Sequence, residues 1–198
     1  MANGVTVETL SGPALDAALP DLARLRIEVF RAFPYLYDGT EAYEASYLRT
    51  FAAARDAIVA AARDPNGRIV GCATGSALDG HHAEFAHALS GSGLDPASVF
   101  YCAESVLQPG FRGQGLGHAF FDAREAHARA RGYQVSCFCA VIRPESHPLK
   151  PEGYTPLDAF WRRRGYAPVE GAVASFSWKD MGETAETSKP MQLWVRKL

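Results

Sequence analysis

The sequence predicts an α/β (α+β) fold: a mixed, mostly antiparallel twisted sheet of about seven strands flanked by about four helices. Three observations carry that expectation. Two stretches near the N-terminus hold apolar residues at helical spacing, and a turn at Asp64-Pro65-Asn66-Gly67 joins two β-rich runs. Between Val99 and Ile142 the chain reads strand, glycine turn, helix, strand.

Taken in order, Val5 to Leu10 alternates as a first strand. Pro20 to Phe33 is a helix with Leu22, Leu25, Ile27, Val29 and Phe30 on its apolar positions, stopped before Pro34. The turn Tyr35-Leu36-Tyr37-Asp38-Gly39 leads into a second helix, Glu41 to Ala54. Ala57 to Ala62 and Arg68 to Gly75 form a hairpin, because Asn66-Gly67 suits a tight reversal. Asp79 to Ser98 is rich in Gly, Ser and His and reads as a loop with a helical turn. Val99 to Leu107 is a strand ended by Pro109, which has no N–H for a ladder. Gly117 to Arg131 is a helix with Gly132 as its stop, and Tyr133 to Ile142 is a strand beside it. Pro156 to Arg164 is a short helix. Strands at Ala172 to Trp178 and Met191 to Val195 close the chain, with polar Lys179 to Lys189 as a flexible hairpin between them. One βαβ unit lies in the middle.

At 198 residues the chain has room for one core, so residues 1–198 are expected to form a single domain. Its apolar fraction of 47% and charged fraction of 21% are those of a globular protein. A net charge of −2 supplies no concentrated basic face, so neither nucleic acid nor a membrane is expected as a partner. No apolar run is long enough to span a bilayer, and Met1 to Val5 lacks a secretory signal. Cys72, Cys102, Cys137 and Cys139 sit in apolar, strand-like stretches and read as buried reduced thiols, which points to the cytoplasm. His81-His82 has no supporting ligands at metal spacing, so no metal is expected there.

The informative segment runs from Glu104 to Gly117, strand into tight turn into helix. Glycines at 113, 115 and 117 let the backbone approach a ligand, and the helix start presents unpaired N–H groups to an anion such as a pyrophosphate. A Walker loop would end in Gly-Lys-Ser/Thr, which is absent. A dinucleotide fingerprint would need a third glycine where His118 stands, and an acidic residue after the next strand, where Ile142-Arg143 stands.

Arg112, Gly115 and Gly117 fill the pattern Arg/Gln-x-x-Gly-x-Gly/Ala, with Gly113 as a further glycine. The segment resembles motif A of the GNAT superfamily of N-acetyltransferases. Leu107-x-Pro109 is similar to that family's strand end, and Phe160-Trp161-Arg162-Arg163-Arg164-Gly165-Tyr166 to the end of its fourth helix. The order of elements agrees over the full length. The resemblance implies acetyl-CoA as co-substrate, with its pyrophosphate on Arg112, Gly113, Gln114, Gly115, Leu116, Gly117 and His118. It also implies that the motif strand splays from its neighbour and that the pantetheine arm lies along Val106 and Leu107. The Leu107 N–H would then point at the thioester oxygen, where charge develops during attack.

By the same resemblance, Glu104 is the expected general base, or else a group that binds a cationic substrate or pairs with Arg143. The family's usual tyrosine acid falls on Trp161, which cannot protonate a thiolate, and Tyr154 stands where an asparagine is common. Tyr154 is therefore the substitute acid, unless it only packs or the thiolate leaves without one. The acceptor pocket falls on Tyr35, Tyr37, Asp38, Arg143 and His147, which hint at a small zwitterionic amine; a turn packed by tyrosines and a surface loop explain them equally well. The expected partners are a small-molecule amine and, through edge strands near the C-terminus, a second copy of the chain. The rival to an enzyme is a non-catalytic acyl-CoA-binding or sensing module, which the Trp161 substitution supports.

Overall fold

The computed structural model describes residues 4–78, 85, 88–89 and 92–198. Its elements run β1 (Thr6–Leu10), α1 (Gly12–Phe30), α2 (Glu41–Ala52), β2 (Ile58–Arg63), β3 (Ile69–Ala77), β4 (Val99–Tyr101) and β5 (Ser105–Leu107). They continue with α3 (Leu116–Ala130), β6 (Val135–Val141), α4 (Asp158–Arg163), β7 (Ala167–Trp178) and β8 (Thr187–Lys197). The strands form an eight-stranded sheet in the order β1-β2-β3-β4-β6-β8-β7, with β5 paired to β3. Among the described residues only β4 and β6 pair in parallel, joined through α3 as the expected βαβ unit. The eighth strand arises because the single strand expected over Val99 to Leu107 is broken at Cys102–Glu104.

Helix α1 begins at Gly12, eight residues before the expected start, and holds Pro20 in its interior. Proline there removes one helical hydrogen bond at a cost of about 3 kcal/mol. Leu15, Leu19, Leu22 and Leu25 are all buried along the same helix, and each buried leucine contributes about 1.5–3 kcal/mol. Packing therefore outweighs the broken bond. The helix also stops at Phe30, ahead of a cis Phe33–Pro34 peptide. Helix α2 is capped by Thr40, whose side chain accepts from the Tyr43 amide at 3.3 Å, and buries Glu44, Leu48 and Phe51.

The β2–β3 hairpin turns where expected. Asp64 Oδ1 accepts from the amides of Asn66 and Arg68, each at 2.9 Å. The late strands are longer than predicted, because β7 and β8 cover each other's backbone from Ala167 to Trp178, with an irregularity between Pro168 and Val173. The segment at their tip is tied by Asp180 and Lys189, both buried. Half of Asp79 to Ser98, with His81-His82, lies outside the described residues; Pro96–Ser98 is a single 3₁₀ turn.

Helices α1 and α2 cover one face of the sheet around Leu22, Leu25, Leu48, Val59, Cys72 and Val106. Helices α3 and α4 cover the other, through Phe120 against Ala60 and Ala73 and through Phe121 and Phe160 near Phe138, Tyr166 and Trp194. All four cysteines are free and buried. No helix among the described residues is long and apolar enough to cross a membrane.

Candidate active site

The break between β4 and β5 is a β-bulge. Ser76 faces Tyr101 and Ala73 faces Ser105, so three steps along β3 oppose four along the broken strand. The Ala103 amide donates to the Thr74 carbonyl, and the Thr74 amide donates to the Glu104 carbonyl, each at 3.0 Å. Before the bulge, the strand also pairs with β6, ending with the Cys102 amide on the Cys137 carbonyl at 2.8 Å. Beyond it, β5 pairs only with β3 and the rest of β6 only with β8. The two strands part there and leave a slot. The Gln108 amide donates to Val70 at 2.9 Å, so the alternation of an antiparallel ladder turns the neighbouring Leu107 amide outward, toward the slot.

Arg124 of α3 fastens the bulge from beneath. Its guanidinium is 1% exposed and donates to the carbonyls of Thr74 (3.2 Å) and Glu104 (2.9 Å) and to Ser105 Oγ (2.9 Å).

The glycine turn follows β5 and leads into α3. Gly113 and Gly115 both take left-handed backbone, with φ of 74° and 84°, and a Cβ on either would meet nothing within 4 Å. Among the described residues, the amides of Gly113, Gln114, Gly115, Leu116 and Gly117 have no backbone acceptor. Gly117 differs: its backbone is ordinary, and a Cβ there would make an ordinary contact with Phe160 of α4 at 3.4 Å. Arg112 folds back to donate from Nε to the Leu107 carbonyl at 3.2 Å. His118 stacks edge-on against Phe160, with Nδ1 3.3 Å from Arg164 Nη1.

Glu104 sits at the bulge with its side chain 7% exposed. It pairs with Arg26 of α1, not with Arg143, and accepts from the Tyr47 hydroxyl at 3.3 Å. Arg26 in turn pairs with Glu44 of α2, and Tyr37 lies within the electrostatic reach of the same carboxylate. Tyr35 lies within the electrostatic reach of Cys139, Glu104, Tyr154 and Arg26, and burial raises its hydroxyl well above the ordinary tyrosine range. Tyr154 packs edge-on to Phe33, with ring centroids 4.7 Å apart, and burial raises its hydroxyl too. His147 lies on the other side of Phe33 at 5.6 Å.

Two of the predicted acceptor residues hold the loops together. Arg143 donates to both carboxylate oxygens of Asp180, at 2.7 and 2.9 Å, and to the carbonyls of Pro34 and Tyr35, both at 2.8 Å. Asp38 pairs with Lys179 at 2.6 Å, and that lysine's hydrogen bond holds the carboxyl below its usual range.

Comparison with known proteins agrees with this geometry. The model of the acetyltransferase (GNAT) family matches residues 22–149. The chain belongs to the GNAT acetyltransferase family. No curated protein matches the sequence. A phosphinothricin acetyltransferase from Sinorhizobium meliloti, solved with AcCoA, is 16% identical with a TM-score of 0.62, over 98% of this chain and 89% of that one. An acetyltransferase structure from Acinetobacter baylyi has a TM-score of 0.66 at 11% identity, over 100% and 95% of the two chains. One from Salmonella typhimurium, with its cofactor acetyl-CoA, has 0.62 at 11%, over 99% and 95%. At these identities the likeness establishes the shared fold.

Three charged groups of this GNAT acetyltransferase escaped the sequence reading: Arg26, Glu44 and Arg124. Each stands on the buried face of its helix, four residues from Leu22, Leu48 and Phe120 respectively. A charge at core spacing is the signal that would have found them, because such a group is buried only with a partner. Trp161 packs against Phe138 and Trp194, at 4.9 and 5.2 Å between ring centroids, as a core aromatic.

Proposed function

We propose that this acetyltransferase moves an acetyl group from acetyl-CoA to the primary amine of a small acceptor, by direct attack while both are bound. The observation that carries the reading is the unpaired edge between β5 and β6, followed by a turn whose five amides have no backbone acceptor among the described residues. That edge suits an extended arm with amide groups, and the turn suits its diphosphate. Gly113 to Gly117, with Arg112 and His118 beside them, would hold the diphosphate. Val106 and Leu107 would line the arm, with the Leu107 amide donating to the thioester oxygen.

Acetyl-CoA supplies an activated acetyl group: the amine nitrogen bonds to the acetyl carbon, the carbon–sulfur bond breaks, and coenzyme A leaves as a thiolate that is protonated to the thiol. An alkylamine with a pKa near 10.4 arrives mostly protonated, so two protons leave its nitrogen in the full reaction. Glu104 accepts a proton at its carboxylate and returns it to solvent. Tyr154, kept protonated by burial, donates to the departing sulfur and is reprotonated by the second proton lost from nitrogen, so that one proton ends on coenzyme A and one in solvent. The acceptor lies beside Tyr35 and Tyr37, with His147 at the rim. Arg143 and Asp38, engaged with Asp180 and Lys179, shape this wall through the loops they hold. A free carboxylate on the acceptor therefore has no unengaged arginine in Arg143, which favours simple amines over zwitterions.

The test is thiol release from acetyl-CoA with a panel of small primary amines, alongside calorimetric binding of acetyl-CoA. Glu104→Gln should lower kcat/KM about 100-fold or more while acetyl-CoA affinity stays within twofold, as expected for loss of a positioned base. Tight binding with no turnover of any amine would favour an acyl-CoA-binding module, and failure to bind acetyl-CoA would sink the assignment.

A further inference from the structure

Glu104 does not stand alone at the bulge. Its carboxylate meets the Arg26 guanidinium, whose other side is taken by Glu44. The three side chains are 7%, 9% and 1% exposed, in that order. The Arg26 guanidinium carbon lies 4.5 Å from the centre of the Tyr47 ring and 5.2 Å from that of Phe30, so two aromatic faces hold it in place. Tyr47 also donates to the second Glu104 oxygen at 3.3 Å. A guanidinium shared by two carboxylates lends each less of its field than a one-to-one pair would.

We propose that Arg26 is the positioning residue for Glu104, and that Glu44, by competing for the same guanidinium, keeps the Glu104 carboxylate basic enough to take the acceptor's proton. The inference rests on Glu104 being the general base. The other titratable groups around that carboxylate stay neutral while it works. Burial raises Tyr35, Tyr47 and Tyr101 above the ordinary tyrosine range and pushes the Cys72 thiol up to about 12. Arg124 reaches Glu104 only at its backbone carbonyl. The charges that act on the carboxylate are therefore Arg26, Glu44 and, through the backbone side, Arg124.

This gives two shifts of opposite sign. Glu44→Gln leaves Arg26 to Glu104 alone, so the acid limb of kcat/KM should move down by about one pH unit, with a severalfold lower plateau. Arg26→Met leaves two carboxylates without their cation, so the limb should move up, and Arg26→Lys should restore much of the plateau. The profiles are read with whichever panel amine turns over fastest, and thermal melts are recorded for each variant. If Arg26→Met fails to fold, the near-isosteric Glu44→Gln decides. Lower activity in Glu44→Gln with an unmoved acid limb would mean that the cluster only packs the helices, and the proposal falls while the base assignment stands. Full activity in Glu104→Gln would overturn both together.

Discussion

At the scale of single residues, the glycine turn separates backbone need from packing need. Gly115 holds φ at 84° as the residue before α3, where an L side chain is strained by about 1–2 kcal/mol. Gly117 has an ordinary backbone and space for one carbon at 3.4 Å from Phe160. Gly115→Ala is therefore expected to lower unfolding free energy by about 1–2 kcal/mol and to weaken acetyl-CoA binding, whereas Gly117→Ala should leave both nearly unchanged. Urea melts and calorimetry on the two variants check this. The contrast also shows how far a motif is legible. The alternating glycines are plain in the sequence, but which of them the backbone requires and which leaves room for a side-chain carbon beside Phe160 depends on the fold. Arg143 and Asp38 teach the converse lesson, since their partners Asp180 and Lys179 come from a hairpin far along the chain.

At the scale of elements, the break between β4 and β5 does the work that a continuous strand would prevent. A strand reading of Val99 to Leu107 is correct in kind, because the run is rich in β-forming residues and ends at Pro109. What it misses is one extra residue opposite Thr74, and that residue turns the Leu107 amide toward an open edge. Arg124 is the fastening. Its replacement by methionine should cost about 2–3 kcal/mol, because four charge-assisted hydrogen bonds in a buried place are lost, three of them at the bulge. Amide exchange should quicken at residues 102–107 more than in β7 and β8, which would separate a local loosening of the bulge from general destabilisation. Equal protection in the variant and the parent would show that the bulge holds itself. Helix α1 makes a related point about boundaries. Pro20 reads locally as a start, but four buried leucines on one face make it an interior residue.

At the scale of the whole molecule, acid stability should be governed by carboxylates whose partners hold them ionised. Glu183 accepts from the Asp180 amide and then from Lys189, which pull it down to about 2. A carboxyl lowered on folding adds stability that is complete above its ordinary value near 4.3 and is lost as pH falls through its folded value. The β7–β8 tip should therefore lose support between about pH 4.3 and 2, and Glu183→Gln should flatten the fall in melting temperature across that interval. Asp56 acts in the same direction, held down first by its bond from Tyr133 and then by Arg131. A melting profile of Glu183→Gln parallel to the parent's would remove Glu183 from the account.

The sequence by itself determined the class of fold, the hairpin at Asn66-Gly67, the βαβ unit and the turn from Arg112 to Gly117. Each of these depends on neighbours close in the chain: alternation, helical spacing, or the backbone freedom of a glycine. The tertiary structure decided that the motif strand breaks, that Arg26 stands between Glu44 and Glu104, and that Arg143 belongs to Asp180. Those are contacts between residues well separated in the chain, from 18 positions upward. A buried charge takes whichever partner the packing of helices and sheet brings within reach, and local pattern carries no record of that choice.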